Sequence, residues 1–140
     1  MRGLLRDYER SIGIDLCFQG FEGELEKLPG EYAAAVRGAF LVADNGDGLV
    51  GCVALRALSA EGCEMKRLYV DPPARGSGLG RELVESVLDR ARSFGYRKML
   101  LDTLPSMQTA QALYRRIGFV ETRPYRHNPV PGVTYLELTL

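Results

Sequence analysis

The chain has 140 residues, with 18 basic and 18 acidic side chains and no net charge. Hydrophobic residues make up 46% and charged residues 26%, an ordinary globular mixture of one domain's length, so residues 1–140 are expected to form a single domain. Neutrality argues against a dedicated nucleic-acid or membrane-surface protein, no stretch reaches the ~18 apolar residues of a membrane span, and the start lacks an apolar signal core.

Leu4 to about Ile12 reads as a short helix, because Leu4, Leu5, Tyr8 and Ile12 fall on one face. Phe18 to Tyr32 is acidic, with Glu22, Glu24, Glu26 and Glu31 against Lys27, and contains the turn Pro29-Gly30. A hairpin follows, Ala39–Ala43 and Leu49–Leu55, joined by the turn-rich Asp44–Gly48. Glu64 to Val70 is a further strand, stopped by Asp71-Pro72-Pro73. Leu79, Leu83, Val84, Val87, Leu88, Ala91 and Phe94 form one apolar helical stripe, with Gly95 just past its end. Lys98 to Asp102 reads as a strand. Ser106 is the expected N-cap of a second helix bearing Ala110, Leu113, Tyr114 and Ile117 and closed by Gly118. Phe119–Glu121 and Val133–Leu140 are final strands around a loop with Asn128-Pro129 and Pro131-Gly132. This order implies an α/β or α+β fold with one mixed sheet.

The neutrality is a sum of unequal halves. Residues 1–70 carry a net −3 and residues 71–140 a net +3, so an anionic ligand belongs with the second half. Cys17, Cys52 and Cys63 lack the spacing of a disulfide framework, zinc knuckle or redox dithiol, and read as reduced, mostly buried thiols of a cytoplasmic protein. No cluster of metal-ligating residues is visible, and the one histidine, His127, falls in a late loop and reads as a surface residue.

The informative segment is Arg75-Gly-Ser-Gly-Leu-Gly80, between a strand and the start of the long helix. Its glycines let the backbone approach a ligand and turn N–H groups inward. The helix start adds unpaired N–H groups and partial positive charge, and Arg75 and Arg81 add full charges; together they suit a pyrophosphate. A Walker loop needs a lysine where Arg81 stands. A dinucleotide fingerprint needs glycine at that sixth place and no intervening Asp71 to Arg75. The third pattern, Arg/Gln-x-x-Gly-x-Gly/Ala, is met by Arg75, Gly78 and Gly80. The plain alternative is a glycine-rich strand-to-helix turn that binds nothing.

Three ordered segments, Glu64-Met-Lys-Arg-Leu-Tyr-Val-Asp-Pro72, Arg75-Gly-Ser-Gly-Leu-Gly80 and Ala110-Gln-Ala-Leu-Tyr-Arg-Arg-Ile-Gly-Phe119, resemble the GNAT superfamily of acyl-CoA-dependent N-acyltransferases. The resemblance is clear over about residues 39–120 and weaker towards both ends. It implies a GNAT-like fold, a central mixed β-sheet with a splayed parallel strand pair flanked by helices. Because the chain reads as starting inside the first helix, the sheet is expected to lack the usual first strand, or the first few residues to be missing. Met107 stands where the superfamily often has a cofactor-holding Asn.

By the same resemblance, the backbone of Leu68, Tyr69 and Val70 pairs with the pantetheine arm of acetyl-CoA as an added strand. Arg75, Gly76, Ser77, Gly78, Leu79, Gly80 and Arg81 hold the pyrophosphate, and the thioester lies where strands 64–70 and 98–102 part. The implied activity is acetyl transfer from acetyl-CoA to a primary amine, on a small molecule or a peptide, without a metal, nucleic acid or membrane. The enzyme is expected as a monomer or homodimer. An amine that is cationic at pH 7 needs a base, directly or through water. Glu64 is placed first and Asp102 second; alternation puts Glu64 on one face with Lys66 and Leu68. The alternative for each carboxylate is a strand-end charge paired with an arginine or a backbone N–H. Tyr114 is the expected general acid, a phenol of pKa ~10 beside a departing thiolate; its alternative is a core tyrosine. Cys52 and Cys63 have no neighbouring histidine in sequence, which favours direct transfer over an acyl-enzyme. Residues 16–32 and 125–133 are expected to set selectivity, with Tyr125, Arg126 and Asn128 lining the acceptor side and Arg126 suited to a substrate carboxylate. Two other readings fit the same residues: a catalytically idle acyl-CoA-binding sensor, and a nucleotide-binding protein using the same loop.

Overall fold

In a computed structural model the described residues are 4–7, 37–44, 46 and 48–140. The strands are β1 (Leu4–Asp7), β2 (Ala39–Asp44), β3 (Leu49–Ala57), β4 (Gly62–Val70), β5 (Lys98–Thr103), β6 (Val120–Glu121) and β7 (Thr134–Thr139). The described helices are α1 (Leu79–Ser93) and α2 (Gln108–Ile117), with a short 3-10 turn at Pro72–Ala74. One seven-stranded sheet runs in the order β1-β2-β3-β4-β5-β7-β6. Every neighbouring pair is antiparallel except β4 and β5, which are parallel. This is the expected mixed sheet.

The first strand is a correction to the sequence reading. Leu4–Asp7 is not the start of a helix but β1, in register with Asp44 to Leu41 of β2, so the sheet does not lack it. Four residues hold too little periodicity to decide between helix and strand. The long-range need decides instead: β2 is buried from Ala39 to Ala43, and the unpaired backbone groups of its outer edge require a partner. Residues 8–12 of the expected helix, the acidic segment 18–32 and Cys17 lie outside the described residues.

One sheet face packs on α1. Leu41, Val53, Leu55, Met65, Met99, Leu101 and Leu136 meet the helix stripe Leu79, Leu83, Val84, Val87, Leu88 and Ala91 in one buried cluster. At roughly 1.5–3 kcal/mol per large buried apolar side chain, this stripe outweighs the helix's intrinsic propensity. The helix starts after Gly78 at φ 86° and ends before Gly95 at φ 87°. Tyr96 N–H then reaches back to the Ala91 carbonyl at 3.2 Å, so orphan groups at the helix end are satisfied.

Two features open the sheet. The parallel pairing of β4 with β5 covers Gly62↔Lys98, Cys63↔Met99 and Glu64↔Leu100 and then stops. Next, Cys52 pairs with Tyr69 and Ala54 with Lys66, leaving Arg67 and Leu68 both opposite Val53. Arg67 takes φ 61°, left-handed backbone that is unusual for a non-glycine residue. This is a β-bulge, which bends β4 and twists it away from β5. It also breaks the expected alternation: Lys66 stays on the face of Glu64, whereas Leu68 packs with the α1 cluster.

The second helix begins one residue later than its sequence suggests. Met107, not Ser106, is the N-cap, and its carbonyl accepts from Gln111 N–H at 3.0 Å. Pro105 and Ser106 are used in a turn closed by Met107 N–H on the Leu104 carbonyl at 3.0 Å, which delays the helix. Gly118 at φ 122° ends it.

Candidate active site

A cleft of about 1060 Å³ runs from the glycine loop, between the parted β4 and β5, to the loop after β6. Its floor is β4 from Met65 to Val70, its far wall includes Leu101 and Asp102 of β5, and α2 contributes Ala110, Leu113 and Tyr114. Asp71 N–H donates to the Val50 carbonyl at 2.8 Å. Backbone groups alternate along a strand, so Tyr69 points its N–H and C=O to β3 while Leu68 and Val70 point theirs to the open side. Of the three residues expected to pair with an extended ligand, two therefore have edge-facing backbone and Tyr69 supports them from within. The Val70 carbonyl already accepts from Arg75 Nε at 2.9 Å, which fixes the start of the loop.

In that loop Gly76 and Gly78 hold φ 83° and 86°, the left-handed region in which glycine alone is unstrained. No atom lies within 4 Å of the place a Cβ would take at either, so backbone conformation, not crowding, calls for glycine there. The first α1 hydrogen bond is Glu82 N–H to the Gly78 carbonyl at 3.1 Å, leaving the N–H groups of Leu79, Gly80 and Arg81 for a ligand. Arg75, Gly76, Gly78, Gly80 and Arg81 line the cleft; Ser77 donates its hydroxyl to the Ala74 carbonyl instead. Backbone donors, helix polarity and two arginines at one mouth fit a pyrophosphate.

Tyr114 is 6% exposed, with its ring tilted against Phe119 at 5.7 Å between centroids. It belongs to the core cluster and to the cleft wall at once. Its hydroxyl makes no hydrogen bond with the described residues, and burial pushes its pKa above the usual phenol value. It is a protonated donor with nothing among the described residues to donate to.

The two carboxylates sit differently. Glu64 is fully buried, does not line the cleft and lies opposite Arg56 across β3 and β4, with Arg56 Nε on its Oε1 at 2.7 Å. Its Oε2 accepts from the Tyr125 hydroxyl and faces Arg126 Nη2 at 3.4 Å. Asp102 does line the cleft. Arg126 clamps it through Nη2 at 3.0 Å and Nε at 3.3 Å, and Asn128 Nδ2 adds a third donor at 3.1 Å. Arg126 thus bridges both acids. Burial disfavours its charge, but Glu64 and Asp102 outweigh burial and raise its pKa. The Tyr135 hydroxyl holds the Arg126 carbonyl at 2.9 Å and keeps this loop on the sheet.

Sequence reasoning brought Glu64, Asp102, Tyr114, Tyr125, Arg126 and Asn128 forward, and the fold gathers all six about the parted strands. It missed Arg56 and Lys66. Arg56 becomes visible only once register puts it opposite Glu64; Lys66 carries a signal, two places after Glu64 on the same strand face. Cys63 is buried, donates to the Lys98 carbonyl at 3.4 Å, and has its thiol pushed up to about 12 by burial, against the pull of Arg37. Cys52 is buried and donates to the Arg67 carbonyl at the bulge. Neither lines the cleft. His127 is exposed. Among the described residues no group of three potential ligands could hold a metal ion, and no helix is long and apolar enough to cross a membrane.

Residues 7–119 match the acetyltransferase (GNAT) family. An uncharacterized N-acetyltransferase of Schizosaccharomyces pombe is 41% identical over 139 residues, covering 98% of this chain and 85% of that protein. In fold, an acetyltransferase from Streptococcus agalactiae matches at a TM-score of 0.81 and 20% identity over 100% of this chain and 99% of its own. A GNAT family acetyltransferase from Elizabethkingia anophelis, solved with acetyl-CoA bound, matches at a TM-score of 0.75 and 19% identity over 99% of both chains.

Proposed function

We propose, from the premise that this chain belongs to the GNAT acetyltransferase family and is an acetyl-CoA-dependent acyltransferase, that it passes the acetyl group directly to a primary amine, with Tyr114 as general acid and Asp102 as the base-side carboxylate. The observation that carries this reading is Tyr114, its hydroxyl unpartnered among the described residues, on the wall of a cleft that begins at a pyrophosphate-type loop.

Acetyl-CoA supplies an activated thioester. The open edge of Leu68 and Val70 orients its extended arm, and the loop from Arg75 to Gly80, with Arg81, holds the diphosphate end. The acceptor arrives as an ammonium and must lose one proton before its lone pair can attack. Asp102 faces the cleft and draws that proton away, directly or through water; Glu64, walled in behind Arg56 and Arg126, keeps the Arg126 clamp in place. As the new N–C bond forms and the C–S bond breaks, the nitrogen gives up a second proton and Tyr114 protonates the leaving sulfur. Tyr114 is then recharged from solvent. The net products are an N-acetylated amine, a thiol and one released proton.

Thermal-shift measurement with CoA, acetyl-CoA, ATP and NAD, followed by thiol release over a panel of amines, tests the reading. Stabilisation by acetyl-CoA and amine-dependent thiol release are expected. No shift with either CoA species refutes it, and a shift without turnover of any amine replaces it with an idle acyl-CoA sensor.

A further inference from the structure

The face of the sheet that carries Glu64 holds a charge arrangement of which acid–base chemistry uses only Asp102. Its two carboxylates, Glu64 and Asp102, meet two guanidinium groups, Arg56 and Arg126, at 2.7 to 3.4 Å. Lys66 is on the same face, lines the cleft, is half-buried, and makes no hydrogen bond or ion pair with the described residues. Arg126 keeps one donor nitrogen, Nη1, in no hydrogen bond with the described residues. The topology makes these groups neighbours. Glu64↔Leu100 is the last pair between β4 and β5, and Lys66 and Asp102 each lie two residues beyond it, flanking the strands where they part.

We propose that the acceptor is an amine bearing a carboxylate, of the amino-acid class, with its carboxylate taken by Lys66 and Arg126 and its ammonium facing Asp102. This rests on the transfer reading above and adds the substrate class to it. A partly desolvated ammonium wants an anion, and Glu64, the acid on the same strand face, is already taken by Arg56, Tyr125 and Arg126. Burial lowers the Lys66 pKa; Glu64 opposes that effect while Arg67, Arg56 and Arg126 reinforce it, so a further negative charge at this position is favourable. A polycationic acceptor would instead set its second charge against Lys66. A zwitterion satisfies both ends, one charge on each side of the opening.

The test is thiol release from acetyl-CoA with each L-amino acid beside its carboxamide. The amide's amine is less basic and more of it is neutral at pH 7, so a preference for the acid cannot come from amine reactivity. The best acid is expected to show at least a tenfold higher kcat/KM than its amide. Lys66→Gln is expected to shrink that ratio about tenfold, mainly through KM for the acid, and Lys66→Arg to keep it. Equal or faster turnover of the amides by the unaltered protein, or turnover confined to polyamines and aminoglycosides, overturns the inference while leaving acetyl transfer intact. Acetyl-CoA binding with no thiol release from any amine removes both. If Lys66→Gln fails to fold, the acid-to-amide ratio of the unaltered protein decides alone.

Discussion

Tyr114→Phe isolates one atom. The ring's contact with Phe119 and its place in the core are retained, and the hydroxyl it loses has no partner among the described residues. Stability should therefore change by less than about 1 kcal/mol, or about 4 °C in Tm for a chain of this size. Catalysis should change far more. A positioned general acid contributes ~10²–10⁴ in rate, so kcat is expected to fall at least about a hundredfold, equivalent to ~2.7 kcal/mol of barrier. Burial keeps the phenol protonated beyond its ordinary range, so the unaltered enzyme should show no loss of the acid form up to about pH 10. Single-turnover thiol release at saturating acetyl-CoA is the appropriate assay, because slow product release could mask a chemical step. A folded Tyr114→Phe protein with undiminished single-turnover rate would refute the role. A fall of 10 °C or more in Tm would show instead that the hydroxyl is structural.

Gly78→Ala should cost roughly 1–2 kcal/mol from its φ of 86° alone, since the added methyl meets no atom, and Gly78→Asn should cost less; urea midpoints and acetyl-CoA titrations would show both. Glu64→Ala, which leaves Arg56 and Arg126 short of a buried partner, should destabilise by roughly 3 kcal/mol in urea unfolding, whereas a change below ~0.5 kcal/mol would remove its structural role. Replacing Cys52 and Cys63 together by Ala should leave an intersecting initial-rate pattern; parallel lines in the unaltered protein, lost in the variant, would establish an acyl-enzyme. Burial raises the pKa of Tyr96, Tyr114 and Tyr125, with the Glu64 hydrogen bond adding to it at Tyr125. In the unfolded chain these phenols ionise near pH 10 while the native state still holds their protons, so their contribution is full below pH 10 and falls above it. The urea midpoint should therefore drop between pH 10 and 11, and a flat profile there would contradict the assigned burial.

The glycine loop, α1 and the hairpin were legible in the sequence because each rests on local physics: positive-φ residues at a strand-to-helix turn, an apolar stripe at helical period, two continuous apolar runs around an Asx-rich turn. What the sequence hid is non-local. β1 is a strand because β2 needs a partner more than thirty residues away along the chain. The bulge at Arg67 has no sequence mark, yet it moves Leu68 off the face of Glu64 and shapes the cleft. Glu64 could be placed on a strand but not seen as the buried anchor of Arg56, Tyr125 and Arg126, since two of these partners lie about sixty residues downstream. Asp102 gained its position facing the cleft from the same long-range register.

Backbone pairing across the middle of the sheet is confined to the three residue pairs that end at Glu64↔Leu100. On one side lie β1 to β4, on the other β5 to β7, joined internally by antiparallel ladders that reach six pairs at β2–β3, β3–β4 and β5–β7. Such a seam lets the halves open as separate cooperative units, with amide protection that differs between them. An extended molecule bonded to the free edge of β4 and touching β5 and α2 would splint the two. Loading should therefore slow hydrogen exchange in β7 and β3 alike, one strand out from those the ligand lies against on either side, and turn two exchanging units into one.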